Sequence, residues 1–163
     1  MSADKFERTV KASVLDRLID HEPRQSSDPT LTQAQSERAF RASVLRDVEW
    51  LLNTRSTAAE IPEGLEELRQ SVFNYGLSDL SSLPAGEAKT RQRLRRHIED
   101  ALRTFEPRLV EVRVAVADTD ATERRVRFTI EGMLDMDPNP ERIMFDSVVE
   151  VSSGEVSVDD SHA

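Results

Sequence analysis

Glu106 and Arg108 flank a proline in the run Phe105-Glu106-Pro107-Arg108-Leu109, an opposite-charge pair at the point where one hydrophobic periodicity gives way to another. The proline ring fixes φ, removes a backbone donor and disfavours helical geometry at Glu106, so the two charges sit on a stiff corner. Three uses are open to such a pair. Glu106 acts as a general acid if its surroundings raise its pKa, as in a glycan-cleaving enzyme with Asp100 or Glu111 assisting. Alternatively the two charges lock the corner as an ion pair. In the third use, Arg108 presents paired donors to a carboxylate on its own chain or a partner's, a geometry that lysine cannot copy. The guanidinium itself argues against the first use, because it favours the ionised carboxylate, the wrong direction for protonating a glycosidic oxygen at neutral pH.

Other chemistries lack their parts. The three histidines, His21, His97 and His162, fall in a linker, a helix and the tail, and no second ligand stands at metal spacing from His97. With no cysteine there is neither a disulfide framework nor a thiolate zinc site, and a reducing cytoplasm is the expected compartment. The five glycines form no phosphate cradle and no nucleophile elbow. No cofactor and no metal are expected. A formal charge of -9 repels a phosphate backbone over most of the surface, which excludes nucleic acid as a partner class. The N-terminus has no uninterrupted apolar run of a signal peptide, and no stretch approaches membrane-spanning length. Arg91, Arg93, Arg95 and Arg96 read as a solvated helix face or a contact for an acidic surface, and Trp50 and Tyr75 as interface anchors or partly buried core.

The elements that position the corner follow from periodicity. Phe6, Val10, Val14 and Leu18 recur at intervals of four, so residues 4–20 read as an amphipathic helix, followed by a polar, Pro-containing linker to residue 32. Helical spacing resumes from Ser36, with Phe40, Val44, Val48, Leu51 and Leu52 on one stripe and Trp50 off its centre. A short helical turn through Leu65, Leu68 and Val72 ends at Asn74-Tyr75-Gly76-Leu77, where Gly76 suits a positive φ. The next long helix, residues 86–105, turns Leu94, Ile98, Ala101, Leu102 and Phe105 inward. Beyond the corner the period becomes two. Val110, Val112, Val114 and Val116 share a face, as do Val126, Phe128, Ile130 and Leu134, then Ile143, Phe145, Val149 and Val151, with a short fourth strand at Val156 and Val158.

Helices first and a meander second predict an α+β fold, with N-terminal helices packed on one face of a small, mostly antiparallel C-terminal sheet whose other face is polar. The expected organisation is an N-terminal helix and linker over residues 1–32, one α+β domain over 33–158, and an acidic tail, frayed at its end, over 159–163. A sheet of this size leaves at least one edge that carries protective charges or accepts a strand from elsewhere.

Four blocks in order carry a family likeness. These are Ser13-Val14-Leu15-Asp16-Arg17-Leu18, the run from Ser43 to Arg55, Ser71-Val72-Phe73-Asn74-Tyr75-Gly76-Leu77, and the Glu-Pro-Arg corner. Together, over about residues 13–151, they resemble the TssE family of type VI secretion baseplate components, relatives of the lysozyme-like wedge proteins of contractile phage tails. The "lysozyme-like" label implies no established hydrolase activity. The resemblance implies a structural, non-enzymatic subunit that joins the other wedge subunits and receives the first ring of sheath proteins. By it, Glu106, Pro107 and Arg108 would contact the helical core bundle of the wedge, and the sheet would accept sheath strands. The expected location is cytoplasmic, at a membrane-docked baseplate, without insertion into the membrane.

Overall fold

The computed structural model describes residues 10, 13–19, 24, 31–57, 61–78, 88–117, 125–136, 140–150 and 155–160. Helix α1 spans Val14–Leu18, α2 Gln33–Asn53, α3 Glu66–Arg69 and α4 Ala88–Phe105, with a 3₁₀ turn at Val72–Asn74. The strands are β1 (Leu109–Val116), β2 (Arg125–Leu134), β3 (Glu141–Glu150) and β4 (Val156–Asp160), and they form one antiparallel sheet in the order β1-β2-β3-β4. The α+β arrangement read from the sequence is the one observed.

Local chemistry sets the ends of α2. Thr32 and Gln35 form a capping box, each side chain accepting from the other's backbone N–H, so the helix starts three residues before Ser36. Its stripe of Phe40, Val44, Val48, Leu51 and Leu52 is buried, as is that of α4 at Leu94, Ile98, Ala101 and Leu102. Helix α4 lies along β1 and α2 against β4, and the two helices touch each other. They cover Phe128, Ile130, Leu134, Ile143, Phe145, Val149, Val156 and Val158, which are the inner face of the sheet. The opposite face carries an Arg142–Glu131 pair at 3.0 Å and a Thr129–Asp146 hydrogen bond at 3.0 Å.

Two expectations fail locally. The alternation of β1 is broken at its start: Leu109 is buried and Val110 is 41% exposed. A bulge between Val110 and Arg113, with Glu111 at φ 55, flips the pleat by one residue, so Leu109 rather than Val110 faces the core. Gly132 opposite leaves room for this, since a Cβ there would stand 2.7 Å from Leu109 Cδ1. Helix α1 is inverted. Val14 and Leu18 are 73% and 75% exposed and no residue of the helix is buried, while Val10, of the described residues of that stripe, packs on the core. Phe6 and the rest of the expected first helix lie outside the described residues, as does Val151. Gly76 does take a positive φ, of 106°, tucked against the Thr54 carbonyl where Leu77 N–H donates to Thr54 O at 2.8 Å. Asp159 and Asp160, which composition assigns to the tail, extend β4 and pair with Asp146 and Phe145 of β3.

Candidate functional site

The corner begins with an α-type bond, Glu106 N–H to the Leu102 carbonyl at 2.9 Å, after which Pro107 cannot continue the ladder. The chain turns through a bond from Leu109 N–H to Glu106 O at 3.1 Å, and Arg108 O accepts from Asp135 N–H at 2.8 Å, fastening the corner to the end of β2. Glu106 is thereby buried, at 4% exposure, Pro107 is exposed, and Arg108 lies between.

Arg108 grips Glu106 with both arms of its fork: Nε donates to Oε1 at 2.7 Å and Nη2 to Oε2 at 2.6 Å, with the Arg108 backbone N–H adding a third contact to Oε1 at 3.3 Å. The same guanidinium reaches α2, donating through Nη2 to Asp47 Oδ2 at 2.6 Å and through Nη1 to Ser43 Oγ at 3.2 Å, and sits 5.7 Å from the Phe40 ring centre. Asp47 in turn accepts on Oδ1 from Arg46, through Nε at 2.9 Å and Nη2 at 2.7 Å, and Arg46 Nη2 donates to Asp16 Oδ1 of α1 at 2.7 Å. Charges therefore alternate along Glu106, Arg108, Asp47, Arg46 and Asp16, joining the corner, the middle of α2 and α1.

Alternation shifts Asp16, Arg46 and Arg108 toward their charged forms. Burial works to lower the pKa of Arg108, but the hydrogen bond and charge of Glu106, then those of Asp47, outweigh it and hold it above its ordinary value. Asp16 is pushed up by burial, yet hydrogen bonds from Ser13 and Arg46 win and hold it below the usual carboxylate range. Arg46 is raised chiefly by its bond to Asp16, against the opposing effect of burial. Burial, then the charges of Asp47 and Glu106, push the Tyr75 phenol up.

Beside this chain of charges lies a cleft of about 230 Å³ lined by Leu15, Asp47, Trp50, Leu51, Tyr75, Phe105 and the corner itself. Tyr75 meets Phe105 edge to face, with centroids 5.3 Å apart, and Trp50, 48% exposed, carries Arg46 over its ring at 4.9 Å. Asp100 and Glu111, the candidate helpers of a general acid, do not line this cleft. They open on two other grooves, Asp100 beside an Arg103 contact of 3.7 Å and Glu111 on the bulge of β1. His97 Nδ1 pairs with Ser78 Oγ at 2.8 Å, at the first of those grooves. No group of three or more metal-ligating side chains occurs among the described residues.

The sequence singled out Glu106, Pro107 and Arg108 as candidates, and the structure adds Ser43, Arg46, Asp47 and Asp16 to the network around them. A signal was present, because Ser43 and Asp47 are four residues apart and border the buried stripe of α2, so both face the same neighbour.

The two sheet edges differ. Along the outer side of β1, Arg103 Nη2 donates to Val112 O at 3.2 Å and Val114 N–H donates to Glu99 Oε1 at 3.1 Å, so side chains of α4 fill positions a pairing strand would use. On β4 the amide of Asn53 pairs with Val156 in both directions, donating to its carbonyl at 2.8 Å and accepting from its N–H at 2.9 Å. Outward groups recur every second residue in an antiparallel ladder, so Val158 also turns its N–H and C=O outward, with no partner for them among the described residues.

The chain matches the model of a family described as baseplate wedge protein gp25 over residues 38–139, which takes in most of α2 and all of α4, the corner, β1 and β2. A solved structure described as "The baseplate complex from the type VI secretion system" is similar at a TM-score of 0.48 and 20% identity, covering 68% of this chain and 93% of that one. No curated protein matches. With the family model spanning well over half its length, the chain belongs to the baseplate wedge protein gp25 family, whose members are structural components of baseplates.

Proposed function

We propose that this protein is a wedge subunit of a type VI secretion baseplate, that Glu106, Pro107 and Arg108 form a rigid contact for the other wedge subunits, and that the meander receives the first sheath strands. The observation that carries the reading is the family match, which is continuous through the corner. Geometry adds support. Pro107 and Trp50 are exposed and line the cleft that Tyr75 and Phe105 also line, and the buried Glu106 holds the Arg108 fork in one orientation beside them. Rigid presentation of this kind reduces the entropy lost on association.

For the sheath, β4 is the edge proposed, because the Val158 backbone, without a partner among the described residues, suits strand addition whereas the α4 side chains occupy β1. The same proposal places the protein in the cytoplasm at a membrane-docked assembly. No helix among the described residues is long and apolar enough to cross a membrane.

In this reading no substrate is transformed. Both oxygens of Glu106 already accept from Arg108, and Asp100 and Glu111 lie on other grooves. Co-purification of the wedge and sheath subunits encoded with this protein is the test, wild type against Arg108→Lys. The expected result is reduced recovery of wedge subunits by a variant that remains folded. Undiminished recovery removes the corner from the interface. Clearing of purified cell-wall sacculi by the wild type, abolished in Glu106→Gln, would establish the hydrolase instead.

A further inference from the structure

Helix α1 is held the wrong way round for a surface helix. It has five residues, too few to be stable alone in water, and its Val14, Leu15 and Leu18 are exposed. What fastens it is polar. Asp16 accepts from Arg46 at 2.7 Å and stands 3.9 Å from Arg108 Nη1, and upstream Val10 N–H donates to Ser36 Oγ at 3.3 Å. Asp16 is presented by a complete capping box in which Ser13 Oγ receives Asp16 N–H at 3.1 Å and donates to Oδ2 at 2.6 Å. One carboxylate, mounted on one helical turn, thus plugs a pocket of two guanidinium groups belonging to the body of the fold.

We infer that Arg46 and Arg108 form a carboxylate-binding seat, filled within the chain by Asp16, and that α1 is a latch displaced when an acidic side chain of a wedge partner takes the same seat. The partner chemistry follows from complementarity: the two arginines share Asp47, Glu106 holds Arg108, and the position within reach of both guanidinium groups is the one a carboxylate, that of Asp16, now takes. Displacement also frees Leu15 from the cleft it lines beside Trp50, uncovering apolar surface at the moment the charge is exchanged. A polar tether suits this work, since it breaks without unpacking the core: no residue of α1 is buried. The competition rests on the function proposed above, but the latch does not.

Hydrogen exchange on the full chain tests the latch by itself. Arg17 and Ile19, whose N–H groups donate to the Ser13 and Leu15 carbonyls, report on α1. Losing one charged hydrogen bond should lower their protection by about tenfold in Arg46→Gln, which leaves the Ser13–Asp16 cap whole, while amides of α4 and β2 keep theirs. Raising NaCl should do the same in the wild type and have a smaller effect in the variant, which keeps the 3.9 Å Arg108–Asp16 pair. Unchanged protection of Arg17 and Ile19 in Arg46→Gln overturns the latch. Binding of the co-encoded wedge subunits is then compared between wild type and Asp16→Asn. Stronger binding by the variant, severalfold, supports competition, whereas equal or weaker binding overturns it. Binding by neither chain, with the exchange result intact, leaves the latch standing and refutes both the competition and the assembly role of the corner.

Discussion

Replacing Arg108 by methionine keeps most of the side chain's volume and removes every bond its guanidinium makes at the corner. Four side-chain hydrogen bonds go at once: two to Glu106, one to Asp47 and one to Ser43. What remains is worse than their loss, because the Glu106 carboxylate, with its side chain only 5% exposed, is left without its cation. Stranding a buried charge costs about 3–5 kcal/mol. For a domain of this size about 2–4 °C of melting temperature accompanies each kcal/mol, so Arg108→Met should melt roughly 6–20 °C below wild type. Arg108→Lys keeps the charge but offers a single nitrogen in place of the fork, and should lose about 1.5–3 kcal/mol, the worth of one charge-assisted bond. Urea denaturation followed by the fluorescence of Trp50, the chain's one tryptophan, measures each variant. Adding Glu106→Gln to Arg108→Met should recover part of the loss, with a coupling of about 0.5–3 kcal/mol, since the stranded charge is then gone. An Arg108→Met protein within about 0.5 kcal/mol of wild type, or strict additivity with Glu106→Gln, would refute this account of the corner. The same measurement sets the control for assembly assays: Ile98→Ala, in the core about two turns of α4 before the corner, should cost a comparable 2–5 kcal/mol and leave wedge binding per folded molecule unchanged.

Acid should release α1 before it unfolds the domain. Asp16, faced by Arg46 and Asp47 of α2 and by Arg108 and Glu106 of the corner, has a folded pKa below its ordinary 3.8, so the folded state binds fewer protons between the two values. Its contribution is therefore complete above the ordinary value and is lost as pH falls through the folded one; exchange at Arg17 and Ile19 should accelerate in that window in wild type but not in Asp16→Asn. Gly76→Ala should destabilise by at least about 2 kcal/mol in urea, because φ there is 106° and the added Cβ would collide with the Thr54 carbonyl oxygen. Val158→Pro removes an outward N–H without touching the β3–β4 ladder. Compared with Val158→Ala at matched stability, it should lower recovery of sheath subunits, and equal recovery from the two would move strand addition away from β4.

The stripe of α2, the stripe of α4 and the alternation of β2, β3 and β4 were legible because each depends on a local period that burial then preserves. Pro107 stated where one period stops, and the Glu106–Arg108 ion pair, one of the uses left open by two charges across a stiff ring, is present in the fold. A positive φ at Gly76 was readable for the same reason, a local demand that few other residues meet. What the sequence left undetermined depends on residues far apart in the chain. Val110 would face the core in an unbroken strand, but Glu111 enters the left-handed region and the room left by Gly132 on β2 lets Leu109 take the inner position. The α1 stripe promised apolar burial, yet the attraction of Arg46 and Arg108 for Asp16, some 30 and 92 residues before them, turns the opposite side inward. Asp47 could not be joined to Arg108 until the packing of α2 against the corner brought them to 2.6 Å. The open edge is likewise a tertiary outcome: periodicity showed that a small sheet must have free edges, but only α4 lying along β1 and Asn53 reaching Val156 decide which backbone groups are covered. Periodicity is a property of neighbours in sequence, whereas charge pairing and edge coverage are properties of surfaces that exist only once the chain has packed.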